Sequence, residues 1–229
     1  MANQSLLNYL MVAPPGLPTQ STNKTPNTTN PHYSWKDITS VNPWPQFTYT
    51  NIMQRFGAML QQIQIAREPM PNSPAQAIAT EPMFAARFIT YIQIDIGDAA
   101  SIINNFRPDL AFFQAGSVLH TSPNRCPGDL KVSWKWASGY RMAPDEGDRK
   151  EYYQVLSQVN FYMKQNYSRY GYILSDTELV PIKRLDGNGS LLVAQAIPWE
   201  AEGPGRLTIL LGLWYLGMLA SADNDWRLP

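Results

Sequence analysis

The chain is poor in cysteine and histidine and has no excess of charge, and each shortage excludes a class of function. Its 229 residues include one cysteine, Cys126, so neither an internal disulfide nor a cysteine-rich zinc site can form. The two histidines, His32 and His120, lie in polar segments without an evident partner, which argues against a histidine-based nucleophilic site. The 18 basic and 18 acidic residues give a formal net charge of zero, so any phosphate binding must come from a local patch.

Long apolar runs are also missing. The most apolar segment, 207–222, is shorter than the ~20 residues that a membrane-spanning helix requires, so a buried core helix is the better interpretation. The N-terminus does not have the charged-then-apolar pattern of a secretory leader. We therefore expect no membrane partner and an intracellular protein, nuclear or cytoplasmic.

Residues 1–50 are rich in Pro, Asn, Thr and Ser, which predicts a flexible tail ahead of a folded domain at 51–229. Two parts of this tail could be ordered. The apolar segment 6–11 suits a short docking helix and could carry a motif for a protein partner, and the aromatic segment 35–49 could pack onto the domain. The oligomeric state stays open.

The domain alternates between helical and extended patterns of apolar residues, which predicts a mixed α/β fold. Asn51 and Thr80 are plausible N-caps, and Asp186-Gly-Asn-Gly189 is a strong hairpin signal. Helices are predicted over 51–67, 80–91, 148–165 and 206–220. Strands are predicted over 98–106, 109–114, 129–136, 170–174, 178–184 and 191–197. The expected architecture is a mixed central sheet flanked by helices, with an added hairpin and a C-terminal helix.

The segment 129–136 alternates between polar and apolar residues, the signature of a strand with one face of each kind. Asp129 and Lys131 emerge side by side on its polar face. Asp109 opens another short apolar stretch directly after Pro108. If these two strands pair, two carboxylates and an ammonium meet at one end of a sheet, which suits a divalent metal and a phosphate ester.

Polar residues also follow one side of the predicted helix 148–165. Gln154, Gln158 and Tyr162 are four residues apart and form one stripe, which could bind a phosphate backbone or orient the lysine. A solvated helix face is the alternative, and the more frequent one when such a stripe stands alone. Basic residues at 135, 141, 149 and 150 could form a local rim for phosphates, which the acidic residues at 145, 146 and 148 dilute. The predicted contacts with nucleic acid are Lys135, Gln154, Arg141, Arg149 and Lys150.

The order of these motifs resembles a known superfamily. Pro108-Asp109, a gap, Asp129-Leu-Lys131 and then Gln158-Val-Asn-Phe-Tyr162 are similar to the PD-(D/E)XK nucleases with a trailing QxxxY motif. The stretch 107–220 further resembles uncharacterised fungal proteins with a PD-(D/E)XK nuclease-like domain, through the runs GDLKVSWKW, QVLSQVNFYMKQ, RYGYILSDTELV and LLGLWYLGMLA. The resemblance implies a restriction-endonuclease-like core and nuclease activity.

The resemblance also implies roles for individual residues. Asp109 and Asp129 match the two metal-binding acids, although many relatives carry Glu at the second position, and Lys131 matches the lysine of the motif. Glu81 is the best match for an acid from the first helix, in competition with Asp95 and Asp98. The implied metal site is Glu81, Asp109, Asp129 and Leu130. The implied catalytic set is Asp109, Asp129, Lys131, Gln158 and Tyr162.

Oxygen ligands of this kind suit Mg²⁺ or Mn²⁺, which polarises the scissile phosphate and acidifies a bound water. We expect Lys131 to stabilise the developing negative charge rather than to act as a base, because neighbouring carboxylates hold its pKa up. The alternative is a purely structural role, in which Asp109 caps a turn after Pro108 and Asp129 and Lys131 form a surface ion pair.

The sequence therefore leaves two functions as hypotheses. The first is a metal-dependent nuclease that hydrolyses phosphodiester bonds in nucleic acid, with DNA favoured over RNA. The second is a nuclease-like module that has lost catalysis and serves binding or assembly, which the neutral charge and the Pro-rich N-terminal segment favour. Binding of Mn²⁺ through Asp109 and Asp129 would separate the two.

Overall fold

The computed structural model describes residues 2–20, 24, 26–27, 29–67, 77–84, 102–103, 105–114, 118 and 122–228. Its helices are α1 (Leu6–Leu10), α2 (Tyr49–Gln62), α3 (Glu146–Gln165) and α4 (Ile209–Ser221), with 3₁₀ turns at Trp35–Asp37 and Ser138–Met142 and a helical segment at 81–84. The strands are β1 (Asn3–Ser5), β2 (Ser40–Pro43), β3 (Gln64–Ala66), β4 (Leu110–Phe112), β5 (Cys126–Lys131), β6 (Tyr170–Ser175), β7 (Glu178–Arg184), β8 (Ser190–Val193) and β9 (Ile197–Pro198).

A mixed seven-stranded sheet forms the centre of the molecule. Six strands lie in the order β2-β8-β7-β6-β5-β4, and the short β9 pairs with β7. The pairs β2–β8 and β5–β6 are parallel, whereas the other pairs are antiparallel. The predicted class, a mixed α/β fold with helices flanking a mixed sheet, is confirmed at this level.

Helices cover both faces of the sheet because successive strand residues point to opposite sides. Ile173, Val180 and Ile182 pack with α3 in one apolar cluster. Tyr172, Leu174 and Leu179 point the other way and pack with α1, α2 and α4 in a second cluster. The chain passes from β5 through α3 into the parallel neighbour β6, so α3 lies over the strand that carries Asp129.

Most predicted helices are confirmed with shifted ends. Helix α3 starts two residues before the predicted 148, because Asp145 caps it by accepting a hydrogen bond from the Asp148 N–H at 3.0 Å. Thr48, not Asn51, caps α2, and its hydroxyl accepts from the Asn51 N–H at 3.3 Å. Helix α2 ends at Gln62 rather than at 67, since β3 pairs with β1.

The predicted hairpin is confirmed between β7 and β8. The Asp186 carboxylate accepts hydrogen bonds from the N–H groups of Asn188 and Ser190, at 2.7 and 3.1 Å. Gly189 has φ 84°, and a Cβ there would lie 1.7 Å from the Asp37 carbonyl oxygen, so this position requires glycine. The return strand is shorter than the predicted 191–197 and divides into β8 and β9.

The prediction of a flexible tail over 1–50 is wrong for most of the described residues in that range. Strand β2 forms one edge of the central sheet, and β1 with α1 packs against the body. Apolar and aromatic side chains scattered through the Pro-rich sequence supply the buried surface: Leu10, Met11, Tyr33, Ile38, Trp44 and Phe47. The domain boundary at 51 therefore cuts through a packed unit, whereas the expected ordering of 6–11 and 35–49 is confirmed.

Three strand and helix predictions need correction or fall partly outside the described residues. Strand β5 spans 126–131 rather than 129–136, because the chain turns after Lys131. Around Asn105, which has φ 64°, Ile103 and Phe106 form an isolated bridge and not part of a long strand. Residues 98–101 and 85–91 lie outside the described part, and the segment 81–84 is helical as predicted.

Helix α4, the predicted core helix, has 13 residues and is buried along most of its length. Within the described ranges, no helix combines the length and apolarity needed to cross a membrane.

Candidate active site

The pairing of β4 with β5 brings Asp109 and Asp129 together. Leu110 is opposite Gly128 in this antiparallel pair, so the residue before β4 lies beside Asp129. Asp109 Oδ2 accepts a hydrogen bond from the Leu130 N–H at 2.8 Å. Asp109 itself is exposed, in contrast to Asp129, which is 1% exposed. The carboxylate after Pro108 is thus fixed to the strand that carries the second acid.

Asp129 and Lys131 share one face of β5, as the alternation predicts, but helix α3 covers this face. Asp129 pairs in register with Ile173, whose side chain packs against α3. Gln158 on α3 donates hydrogen bonds from Nε2 to Asp129 Oδ1 at 3.0 Å and to the Tyr162 hydroxyl at 3.1 Å. Gln158 of the predicted Q-x-x-x-Y pair therefore contacts the predicted second acid, and Tyr162 contacts Gln158.

The surroundings of Asp129 work against its ionised form. Burial raises the pKa of its carboxyl to about 7, and the negative charges of Asp109 and Glu81 raise it while Lys131 lowers it. Lys131 Nζ lies 2.6 Å from Asp129 Oδ2. This oxygen is buried and has no partner with the geometry of a hydrogen bond among the described residues. It is an electron-rich atom that lacks a directional partner.

Lys131 is a buried ammonium held by oxygen atoms. Burial lowers its pKa, but the charges of Asp129, Glu81 and Asp109 outweigh this effect, so the pKa of Lys131 is raised. Its Nζ also donates a hydrogen bond to the Leu130 carbonyl at 3.4 Å. The surface ion pair considered above is excluded, since Lys131 is 6% exposed.

A polar cavity of about 380 Å³ opens onto these groups. Glu81, from the helical segment 81–84, lies on its wall and forms an ion pair with Lys135 at 3.7 Å. The other lining residues include Asn27, Pro82, Asp109, Asp129, Leu130, Lys131 and Gln158. Four of the predicted metal-site residues and one predicted basic contact therefore share a single cavity.

The donor set suits a hard cation that keeps part of its water shell. Within the described part of the chain, no three His, Cys, Asp or Glu side chains converge as a complete metal cluster. Mg²⁺ is commonly bound by one or two carboxylates plus waters, and backbone carbonyls are also oxygen ligands. The exposed Asp109 carboxylate, Asp129 Oδ2 and the Leu130 carbonyl are such oxygens, and the Lys131 ammonium contacts the last two. Glu81 lines the same cavity but is bound to Lys135.

The predicted basic rim is mostly not part of this cavity. Gln154 belongs to the same stripe as Gln158, but it is buried, and its Oε1 accepts from the Trp35 N–H at 3.0 Å. Arg141 donates to the Val41 carbonyl, and Arg149 to the carbonyls of residues 143 and 144. Lys150 pairs with Glu146 at 2.8 Å. The 3₁₀ turn at 35–37 covers Gln154, so its contact with nucleic acid stays a prediction, and of the five predicted contacts Lys135 alone lines the cavity.

Two features of the site are not predicted by the sequence. Asn27 lines the cavity, and its Nδ2 donates to Glu151 Oε2 at 2.7 Å and to the Lys135 carbonyl at 3.3 Å. Asp176 accepts from the Ser133 N–H at 2.6 Å, which directs the chain away from the sheet just after Lys131. No local pattern marks Asn27, because its position depends on a segment folding back across α3.

The fold and the cavity together define a mixed α/β protein with two carboxylates and a buried lysine between the edge strand of its sheet and the neighbouring strand. Comparisons with protein-family models, with curated proteins and with solved structures find no match to the chain. Its function must therefore be argued from its own geometry.

Proposed function

We propose that the protein is a metal-dependent nuclease of the PD-(D/E)XK type, with a restriction-endonuclease-like core, that hydrolyses phosphodiester bonds in nucleic acid. The observation that carries this proposal is the pairing of β4 with β5, which brings Asp109, Asp129 and Lys131 to one polar cavity. The preference for DNA over RNA stays a prediction.

Asp109, Asp129 and the Leu130 carbonyl would hold the metal ion, with Glu81 as a further acid on the cavity wall. Bound Mg²⁺ or Mn²⁺ would supply Lewis acidity toward the phosphate and would acidify a water molecule. The position of Asp129 Oδ2 supports this role, since this buried anionic oxygen depends on nearby positive charge, which the Lys131 ammonium supplies at 2.6 Å and a metal ion would increase.

The other residues of the cavity orient these ligands and balance charge. Gln158 fixes the carboxylate plane of Asp129 through Oδ1, so that Oδ2 faces positive charge, which the Lys131 ammonium supplies in this structure. Lys131 keeps its proton and stabilises negative charge on the phosphate oxygens as the bond to the leaving oxygen breaks. Burial raises the pKa of Tyr162, so its phenol stays protonated and cannot act as a base near neutral pH. Lys135 attracts the phosphate backbone at the rim.

The direct test is cleavage of labelled single- and double-stranded DNA and RNA in Mg²⁺ or Mn²⁺. Asp109→Asn is the most informative variant, because Asp109 is exposed and the amide retains an oxygen that can accept from the Leu130 N–H. We expect the wild type to cleave at least one substrate. Asp109→Asn and Lys131→Ala should each lower the rate by roughly 10²-fold or more, a loss of about 2.7 kcal/mol or more in transition-state stabilisation.

Asp145→Asn is the matched control, because it removes a carboxylate outside the cavity while asparagine still caps α3. It should cleave as the wild type does. Cleavage that survives in Asp109→Asn would point to a different site or to a contaminating enzyme.

A nuclease-like module without catalysis is the second candidate function. The observation that favours it is the Lys131 ammonium, which sits on Asp129 Oδ2 and the Leu130 carbonyl, two of the oxygens that a metal would need. This module would show neither cleavage nor Mn²⁺ binding, while the active enzyme would show both.

A further inference from the structure

A second polar cavity, of about 400 Å³, is lined by residues of helix α3, which also contributes Gln158 to the candidate active site. Its volume is within the range of small-molecule sites. Its wall combines aromatic rings, an amide and an ammonium: His32, Tyr33, Asn160, Phe161 and Lys164, together with Asp37. None of these residues has a role in the proposed hydrolysis.

Asn160 is the unusual member of this wall. It is 3% exposed, and its Oδ1 has no hydrogen-bond partner among the described residues. Buried side-chain oxygens are nearly always hydrogen-bonded, so an unpaired amide on a cavity wall indicates a missing polar partner. The amide of asparagine forms paired hydrogen bonds with the edges of nucleobases.

The aromatic rings beside Asn160 form one continuous group. Phe161 lies 5.5 Å from Tyr33 and 6.3 Å from His32, measured between ring centroids. Phe106 closes the group, at 4.8 Å from Phe161 and 5.2 Å from His32. Aromatic faces are the platforms on which unpaired bases stack, with little dependence on sequence.

The charges around the cavity fit a nucleotide better than a neutral base. Lys164 is exposed and, in the part of the chain that the structure describes, has no ion-pair partner. Asp37 also lines the cavity, but its carboxylate accepts from the Ser34 N–H at 2.7 Å and closes the capping box of the 3₁₀ turn. An ammonium with no partner at the mouth provides a contact for one phosphate.

The cavity is also coupled to the candidate active site. Asn160 and Phe161 lie between Gln158 and Tyr162 on α3, and Gln158 donates hydrogen bonds to both Asp129 and the Tyr162 hydroxyl. Burial raises the pKa of Tyr33, and the charge of Asp129 raises it further, so Tyr33 lies within electrostatic reach of Asp129. Gln158 lines the first cavity and Asn160 and Phe161 line the second, so a nucleic-acid strand that crosses α3 would contact both cavities.

From this arrangement we infer that the cavity of Asn160, Phe161 and Lys164 binds one unpaired nucleotide of the substrate, with its base on the aromatic group and its phosphate on Lys164. The inference rests on the proposed nuclease function, because it makes the cavity a subsite for single-stranded or locally unpaired nucleic acid.

Thymidine 5′-monophosphate is the probe, titrated in EDTA so that binding does not depend on a metal. Binding is followed by NMR through the side-chain amide of Asn160, and inorganic phosphate is titrated in parallel. We expect a saturable shift with the nucleotide and little shift with phosphate alone. Asn160→Leu and Lys164→Gln should each weaken binding about tenfold, as followed by the nucleotide's own resonances.

Two controls separate a binding role from a structural one. Asn160→Leu should unfold at the same temperature as the wild type or higher, because leucine removes an unpaired buried amide of similar size. Lys36→Gln removes an exposed lysine that does not line the cavity and should bind the nucleotide normally. A structural role for Asn160 would instead lower the unfolding temperature.

The inference is overturned if the nucleotide does not bind, if phosphate alone gives the same shift, or if Asn160→Leu binds with unchanged affinity. These outcomes leave cleavage by the wild type untouched. Failure of the proposed nuclease looks different: cleavage would be absent while nucleotide binding still required Asn160, and the cavity would remain a nucleotide site.

Discussion

Asp129 is held between opposite charges at the centre of the candidate site. The Lys131 ammonium favours its ionised form, whereas burial and the negative charges of Asp109 and Glu81 favour the protonated form. Its two oxygens differ, because Gln158 donates to Oδ1 and no hydrogen bond satisfies Oδ2. A divalent cation would lessen this conflict, since it adds positive charge beside Oδ2, where the Lys131 ammonium lies at 2.6 Å.

The affinity for Mn²⁺ should therefore depend on pH in a range that is unusual for an aspartate. The pKa of Asp129 is about 7, so below that value a proton competes with the metal for the carboxylate. We expect the apparent affinity to fall about tenfold for each pH unit below 7 and to level off above it. Calorimetric titrations between pH 5.5 and pH 8.5 would measure the profile. A midpoint at about pH 4, the ordinary range of an aspartate, would contradict this account of the site.

Gln158 acts on the metal through Asp129, so we expect Gln158→Ala to weaken Mn²⁺ binding by about 10- to 100-fold. The alanine leaves Asp129 Oδ1 without its hydrogen bond at 3.0 Å and frees the carboxylate to rotate. Calorimetry at pH 8 gives the affinity, and the same samples give the cleavage rate. Gln62→Ala, at an exposed position at the end of α2, is the control and should bind as the wild type does. Equal affinities in both variants would show that Gln158 has no positioning role.

At the scale of single elements, β5 is positioned by a close contact with its parallel neighbour. Gly128 is paired with Tyr172 of β6, and a Cβ at Gly128 would lie 2.1 Å from Tyr172 Cζ. The ring of Tyr172 is fully buried. Glycine therefore lets the tyrosine ring cross the strand one residue before Asp129.

Gly128→Ala should consequently destabilise the protein by about 1–3 kcal/mol, because the buried ring has to be displaced. Urea unfolding measures the change in the free energy of unfolding. Gly139→Ala is the matched control, since no atom lies within 4 Å of its would-be Cβ, and we expect a change within about 0.5 kcal/mol. If both variants unfold alike, the contact with Tyr172 does not constrain β5.

The elements that could be predicted from sequence are those with a strong local pattern. Strand β7 is predicted to the residue, and α3 and α4 are predicted to within a few residues, because their apolar spacing and flanking turns are regular. The end of β5 could not be predicted, because the alternation continues to Trp136. The strand stops at Lys131 through a contact with Asp176, which is distant in sequence.

The convergence of Asp109, Asp129, Lys131 and Gln158 follows from the motif spacing once the strands pair. The burial of Asp129 does not follow, because an alternating strand predicts a solvated polar face and α3 covers it instead. Gln154 illustrates the same limit, since only the folded chain places Trp35 over it. Local patterns predict the orientation of a side chain, whereas tertiary packing determines which groups the side chain contacts.

At the scale of the whole molecule, the N-terminal segment is part of the fold. Strand β2 pairs with β8 from Ser40 opposite Ser190 to Pro43 opposite Val193, and Trp44 stacks on Tyr170 at 5.9 Å. The Thr208 hydroxyl, which caps α4, also donates to the Leu10 carbonyl. The described residues within 1–50 thus supply the edge strand β2 and contribute to the core.

Removal of residues 1–50 should therefore prevent stable folding of 51–229. The loss includes six buried apolar or aromatic side chains, each stabilising by roughly 1.5–3 kcal/mol, and their sum is comparable with the whole stability of an ordinary domain. Circular dichroism and urea unfolding of the fragment would test this. Trp44→Ala in the full chain is a milder variant and should cost about 3–5 kcal/mol. A fragment that unfolds at the same urea concentration as the full chain would restore the flexible-tail interpretation.

The measurement that tests the central claim most directly is a calorimetric titration of the full chain with Mn²⁺ at pH 8. The account predicts one ion per chain in the wild type and in Asp145→Asn, and binding weakened by at least about tenfold in Asp109→Asn and Asp129→Asn, whose folding is verified by circular dichroism. Absence of binding in the wild type, or equal binding in all four proteins, would contradict a metal site formed by Asp109 and Asp129.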